Sequence, residues 1–200
     1  MSSKAQSQSP SGRPAVAGDG ATWSEVTPLG DGAFRVRLGG AFRPAWMATL
    51  CTSLSERRIS IDRVHATRAR DWSWLVELHL VALSGAHDPI TVPYVALADA
   101  DVIHEPSPLQ LDRYELIESG DHGGTLRLTL EAQDSLGLLG SLLSSLATLL
   151  LFPVEMHIET RSGRAHDRLW LGGVGATVPS GKAEEALRRL LAGSLKNAQP

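Results

Sequence analysis

The chain has 200 residues, 42 % of them hydrophobic and 20 % charged, with a formal net charge of −3. This is the composition of a soluble globular protein, and a chain this long buries about 70 % of its unfolded surface, enough to fold without metal or disulfide. The Lys and Arg are scattered along a net-negative chain, which excludes the basic footprint of a nucleic-acid binder. A single cysteine, Cys51, excludes an internal disulfide framework and suits a reducing cytoplasm.

Residues 1–20 are Ser, Gln, Pro and Gly with almost nothing to bury, so they are expected to form a disordered tail. No apolar run follows Lys4, so the segment does not read as a secretory signal. Thr22–Leu29 and Ala33–Gly40 are predicted strands joined by Gly30-Asp31-Gly32, a turn rich in residues that accept positive φ. Phe34, Val36 and Leu38 alternate with Arg35 and Arg37, the pattern of a half-buried strand. Pro44 suits the first turn of a helix that carries Trp46, Met47, Leu50 and Leu54 on its apolar face and ends near Arg57-Arg58. Cys51 falls inside this face and reads as a small buried hydrophobe. Strands are expected at Ile61–Ala69 and Trp72–Ala82, followed by a short helix over Tyr94–Ala98. Pro106 and Pro108 interrupt the chain.

The order then recurs. Leu111–Glu118 and Thr125–Ala132 flank a Gly-rich turn, and Leu136–Leu150 is a predicted helix. Strands near Val154–Arg161 and Arg168–Val174 flank Ser162-Gly163-Arg164. A last helix runs from about Ser180 to Leu195, with Ser180 as its N-cap and Glu184–Arg188 as a supporting pair. The run Leu136–Phe152 lacks charge, yet its 17 residues would reach only about 25 Å as a helix, short of a hydrocarbon core. It reads as a core helix, and no membrane association is expected.

Residues 126–171 match residues 34–78 at an offset of 92, with Phe34 to Leu38 on Leu126 to Leu130, Leu50, Ser53 and Leu54 on Leu142, Ser145 and Leu146, and, one inserted residue later, Thr67-Arg68 on Thr160-Arg161. A period this long implies two copies of a small domain, not a solenoid. Each copy reads β-β-α-β-β-α. A ferredoxin-like unit runs β-α-β-β-α-β, and moving its last strand to the front yields this order. The expected class is therefore α+β: two ferredoxin-like repeats of antiparallel sheet with helices on one face. They occupy 21–105 and 106–195, with 196–200 as a tail. Two closures remain open: each repeat keeps its own extra strand, or the repeats exchange them.

In the second repeat a strand runs into Asp134, Gly137, Leu138 and Leu139, and after the helix come Thr160, Gly163, Ala165 and Asp167, all within Thr125 to Leu195. On these residues the repeat resembles the ACT domain, a small regulatory module of amino-acid metabolism, and most of all the ACT domains at the C-terminus of the bacterial nitrogen-sensing uridylyltransferase. The first repeat has Phe42 and Ala45 where Asp134 and Gly137 stand and lacks the motif. The resemblance implies a small effector, commonly an amino acid, at the strand–helix loop. The ligand-binding residues are then Asp134, Ser135, Gly137 and Leu138. Asp134 or Ser135 can cap the helix, Gly137 allows close backbone approach, and helix-start amides favour a carboxylate.

Trp46, Trp72 and Trp74 form a second candidate, an aromatic pocket for a hydrophobic ligand, with the alternative that they are only core and interface. No His or Cys pair has metal spacing, and the adjacent His166 and Asp167 should point to opposite strand faces. His157 falls one residue out of register with His65 once an inserted residue is counted. No metal, cofactor or catalytic residue is expected, and Leu171 to Gly175 is not a nucleotide loop. The chain therefore reads as a non-catalytic, cytoplasmic ACT-like regulator that binds an amino acid or a partner enzyme, or self-associates. The alternatives are a small enzyme or accessory protein of specialised metabolism, and a ligand-free assembly module.

Overall fold

The computed structural model describes residues 21–101 and 105–196; the expected tail at 1–20 and residues 197–200 lie outside them. The elements run β1 (Trp23–Gly30), β2 (Ala33–Gly40), α1 (Trp46–Glu56), β3 (Ile59–Arg68), β4 (Trp74–Ala82) and α2 (Tyr94–Ala98). Then follow β5 (Arg113–Ser119), β6 (Thr125–Gln133), α3 (Leu138–Thr148), β7 (Phe152–Arg161), β8 (Arg164–Gly172) and α4 (Gly181–Gly193). The order expected from the hydrophobic periods is observed, with bounds moved by a few residues. The largest shift is in β8, which starts at Arg164, not at Arg168, because the hairpin closes on Ser162 and Gly163, both at positive φ.

All eight strands form one antiparallel sheet in the order β1-β2-β4-β3-β7-β8-β6-β5. From either edge inward the order is the same: hairpin strand, its neighbour, then the two strands that follow the helix. Each outer strand pairs with its own successor, β1 with β2 and β5 with β6, so no strand is exchanged between halves. The halves meet along β3 and β7, where Val64 pairs with Ile158 and Ala66 with Met156 about a central His65–His157 pair. Both strands shift register once, between Ile61 and Arg63 and between Pro153 and Glu155. In the β3–β7 pairing, which runs without a shift, the two histidines are directly opposite, with Nδ1 atoms 3.2 Å from each other.

One sheet face is apolar because alternate residues are: Val36 and Leu38, Val76 and Leu78, Leu126 to Leu130, and Leu169 and Leu171 are all buried. The α1 and α3 helices pack side by side against it, and Leu187 and Leu191 of α4 join the same core. The other face carries Arg37, Glu77, His65, His157, Arg168 and Glu131, half-buried or exposed. The α3 helix spans only 11 residues of the uncharged run, which then turns into β7. Among the described residues no helix is long and apolar enough to cross a membrane. Ser180 caps α4 as expected, accepting from the Ala183 amide at 3.2 Å, and Arg188 meets Glu184 at 2.7 Å.

Candidate functional site

The loop between β6 and α3 is held by its backbone. The Asp134 amide donates to the Gly163 carbonyl at 3.0 Å, and Gln133 Nε2 donates to the same oxygen at 2.8 Å. Gly137 is the N-cap of α3 at φ 90°, a left-handed position that costs glycine little. No side chain caps this helix, so the expectation that Asp134 or Ser135 would do so is incorrect. The reason is geometric: the left-handed residue turns the chain into the helix three positions after Asp134, whose carboxylate instead accepts from Thr160 Oγ1 at 3.1 Å. The Leu138 amide donates to the Ser135 carbonyl at 3.0 Å, and the first α-helical bond runs from the Ser141 amide to the Gly137 carbonyl, so the Leu139 and Gly140 amides are the ones left ahead of it.

Three of the four expected ligand-binding residues, Ser135, Gly137 and Leu138, line one cavity of about 370 Å³. Thr52 and Ser55 of α1 close it on one side, and Lys196 and the 105–110 segment close the other. Asp134 is set back from it. It borders a much smaller cavity, about 30 Å³, shared with Cys51 and Gly140.

Beneath the loop lies Asp167, 2 % exposed on β8, with its Oδ1 lacking any hydrogen-bond partner among the described residues. Burial pushes its carboxyl up to about 7, the Asp134 carboxylate adds to the shift, and a backbone hydrogen bond at Glu159 opposes it. The alternation of β8 places Asp167 inward between Ala165 and Leu169, and sends its neighbour His166 to the open face near Glu131 at 3.3 Å. The pleat thus separates His166 from Asp167, and the two do not form an acid–base pair.

The aromatic residues divide. Trp46 and Trp74 are buried and meet edge to face with centroids 5.4 Å apart, and Phe42 stacks on Trp46 at 4.7 Å. Together they wall a cavity of about 100 Å³ at the β2–α1 loop, the position in the first half that corresponds to the Gly137 loop in the second. Trp72 is not part of it. The expectation that Trp72 joins Trp46 and Trp74 in one aromatic pocket fails because Trp72 sits at φ 69° in the turn before β4, 52 % exposed, with the Arg68 guanidinium over its ring at 4.2 Å. Sequence reading passed over Arg68. The signal was present: Val64, Ala66 and Arg68 alternate on the inward side of β3.

Cys51 is fully buried, and burial pushes its thiol well above the ordinary range, which makes it a core residue and not a nucleophile. Among the described residues no group of three or more His, Cys, Asp or Glu could hold a metal ion.

No family model and no curated protein matches the chain. Among solved structures, it is similar to aspartate kinase from Synechocystis, with 15 % identity and a TM-score of 0.49 over 80 % of this chain and 26 % of the kinase. The chain spans about a quarter of that enzyme's length. The fold described above rests on its own strand order and packing.

Proposed function

We propose that the chain is a non-catalytic regulatory protein of two ACT-like repeats, 21–105 and 106–195, which binds a small effector, an amino acid first among them, at the Gly137 loop. The carrying observation is the 370 Å³ cavity between that loop and α1, lined by Ser135, Gly137 and Lys196. Its volume is that of a small-molecule site, and its lining offers the Thr52, Ser55, Ser135 and Ser141 hydroxyls and the Lys196 ammonium. The strand order of each half supports the ACT-like reading: with the hairpin strand counted last, it is the ferredoxin-like arrangement. Asp134 takes a different role from the one its motif implies, since Thr160 already occupies its carboxylate. An effector carboxylate would meet the Lys196 ammonium, which also pairs with Asp112 at 2.8 Å.

The test is a thermal-shift screen of amino acids on the full chain, where a ligand at 100 times its Kd adds about 2.7 kcal/mol. Ser141→Phe, which fills the cavity from α3, removes the shift if the reading holds. If no amino acid stabilises the protein, and it instead associates with itself or a partner enzyme as concentration rises, the assembly-module reading replaces it. A small enzyme or accessory protein is favoured by one observation, the aromatic cavity at Trp46 and Trp74. The charged side chains lining that cavity are Arg43 and Arg68, with no carboxylate or imidazole to form an acid–base pair. That chemistry fits binding better than turnover.

A further inference from the structure

The cavity walled by Phe42, Trp46 and Trp74 is apolar except for two arginines, Arg43 and Arg68. Arg68 reaches it from the end of β3, and Leu143, Met156 and the Gly173–Ala176 turn complete the enclosure. The Arg68 Nε is shut off from water and has no hydrogen-bond partner among the described residues. Burial lowers its basicity, the sign of a cation held partly out of water with no anion beside it. Such a group is costly unless something pairs with it. The Trp72 ring lies 4.2 Å from the guanidinium carbon, a cation–π contact that takes up none of its N–H donors. The other cation of the lining, Arg43, is already engaged by Asp99 at 3.1 Å and Asp101 at 3.7 Å.

We infer that this cavity binds a small branched or compact apolar carboxylic acid lacking an α-amine, with its carboxylate on Arg68 and its hydrocarbon part against Trp46 and Trp74. Charge decides the class. The lining contains an unpaired guanidinium and no Asp or Glu, so a carboxylate gains a partner whereas an ammonium group would be buried without one. Volume decides the size. At about 100 Å³ the cavity is smaller than the roughly 150 Å³ dry cavity that accepts benzene, which suits an alkyl group of about four carbons. This site is separate from the Gly137 cavity, and the inference does not depend on an effector binding there.

Isovalerate is the probe, titrated into the full chain by calorimetry and ligand-observed NMR, beside isoamyl alcohol, isoamylamine and leucine. Isovalerate should bind more tightly than the alcohol, and the amine should not compete. Arg68→Gln, whose fold is verified by its circular dichroism and unfolding midpoint, should weaken isovalerate on the order of tenfold or more, the loss expected for a hydrogen bond to a charged group. Arg68→Lys, which keeps the charge without the fork, should fall between. Equal binding of acid and alcohol, isovalerate affinity unchanged in Arg68→Gln, or no isovalerate binding to the wild-type chain would each overturn the inference. Leucine binding that survives Arg68→Gln but is lost in Ser141→Phe reports the other cavity, so the two readings fail separately.

Discussion

Gly140 of α3 lies so close to Thr52 of α1 that a Cβ built on it would stand 2.8 Å from the threonine Oγ1 and 3.1 Å from its backbone nitrogen. The two helices that cover the sheet cross at this point, and the missing side chain lets their backbones approach. In an isolated helix, alanine in place of glycine would stabilise by about 1 kcal/mol. Here overpacking should outweigh that gain, so Gly140→Ala should lower stability by about 1 to 3 kcal/mol in urea denaturation. Thr52→Ala in the same background should recover part of the loss. A stabilised Gly140→Ala protein would mean that the helices are further apart than described.

Leu142 and Leu146 point from α3 into the core and are 1 % and 0 % exposed. Each change to alanine should cost roughly 2 to 5 kcal/mol, as lost burial and the cavity left behind add together. Losses below about 1 kcal/mol for both would make α3 peripheral.

Asp167 should make stability fall as pH rises. Its carboxyl titrates near 7 in the folded chain against an ordinary 3.8, so the native state holds a proton that the unfolded state has released. The resulting stabilisation is full below the unfolded value, declines between the two, and is lost above the folded one, a span on the order of 4 kcal/mol. Asp167→Asn should therefore be more stable than wild type at pH 8 and lose that advantage near pH 4. The variant-minus-wild-type difference isolates this group from Asp112, Asp121 and Glu131. Hydrogen bonds from Lys196, Ser119 and Arg113 lower those pKa values, and their contributions run the other way. Asp134→Asn, which removes the neighbouring charge, should move the Asp167 transition to lower pH.

The two neighbouring tryptophans should behave oppositely. Trp74→Ala removes a buried ring and should cost roughly 3 to 5 kcal/mol, whereas Trp72→Ala acts at the surface and should stay within about 1 kcal/mol. Comparable losses would return Trp72 to the core.

How far each feature was legible follows from the range of the interaction behind it. The strand and helix order could be read because pleat and helix periods are local, as in Phe34 to Leu38 and in the Leu142–Leu146 face. Ser180 was readable as a cap because capping spans three residues. The His65–His157 contact was not, since it rests on a strand pairing across 92 residues. The role of Asp134 was misread for a related reason. Thr160, which takes up its carboxylate, lies 26 residues away, while the left-handed Gly137 turns the chain into the helix with no side-chain cap. Trp72 misled because alternation was carried one turn too far.

The two halves of the sheet belong to one chain, and this has a consequence for how its cavities can vary. In a dimer of two identical short chains, every substitution appears twice, and both strand–helix loops must keep the same lining. Here each loop is written once: Asp134 and Gly137 in one, Phe42 and Ala45 in the other. A change at Arg68 alters the aromatic cavity and leaves Ser135 and Lys196 untouched. Covalent joining thus frees two related positions from the need to stay alike, so that one can keep a polar lining while the other becomes apolar.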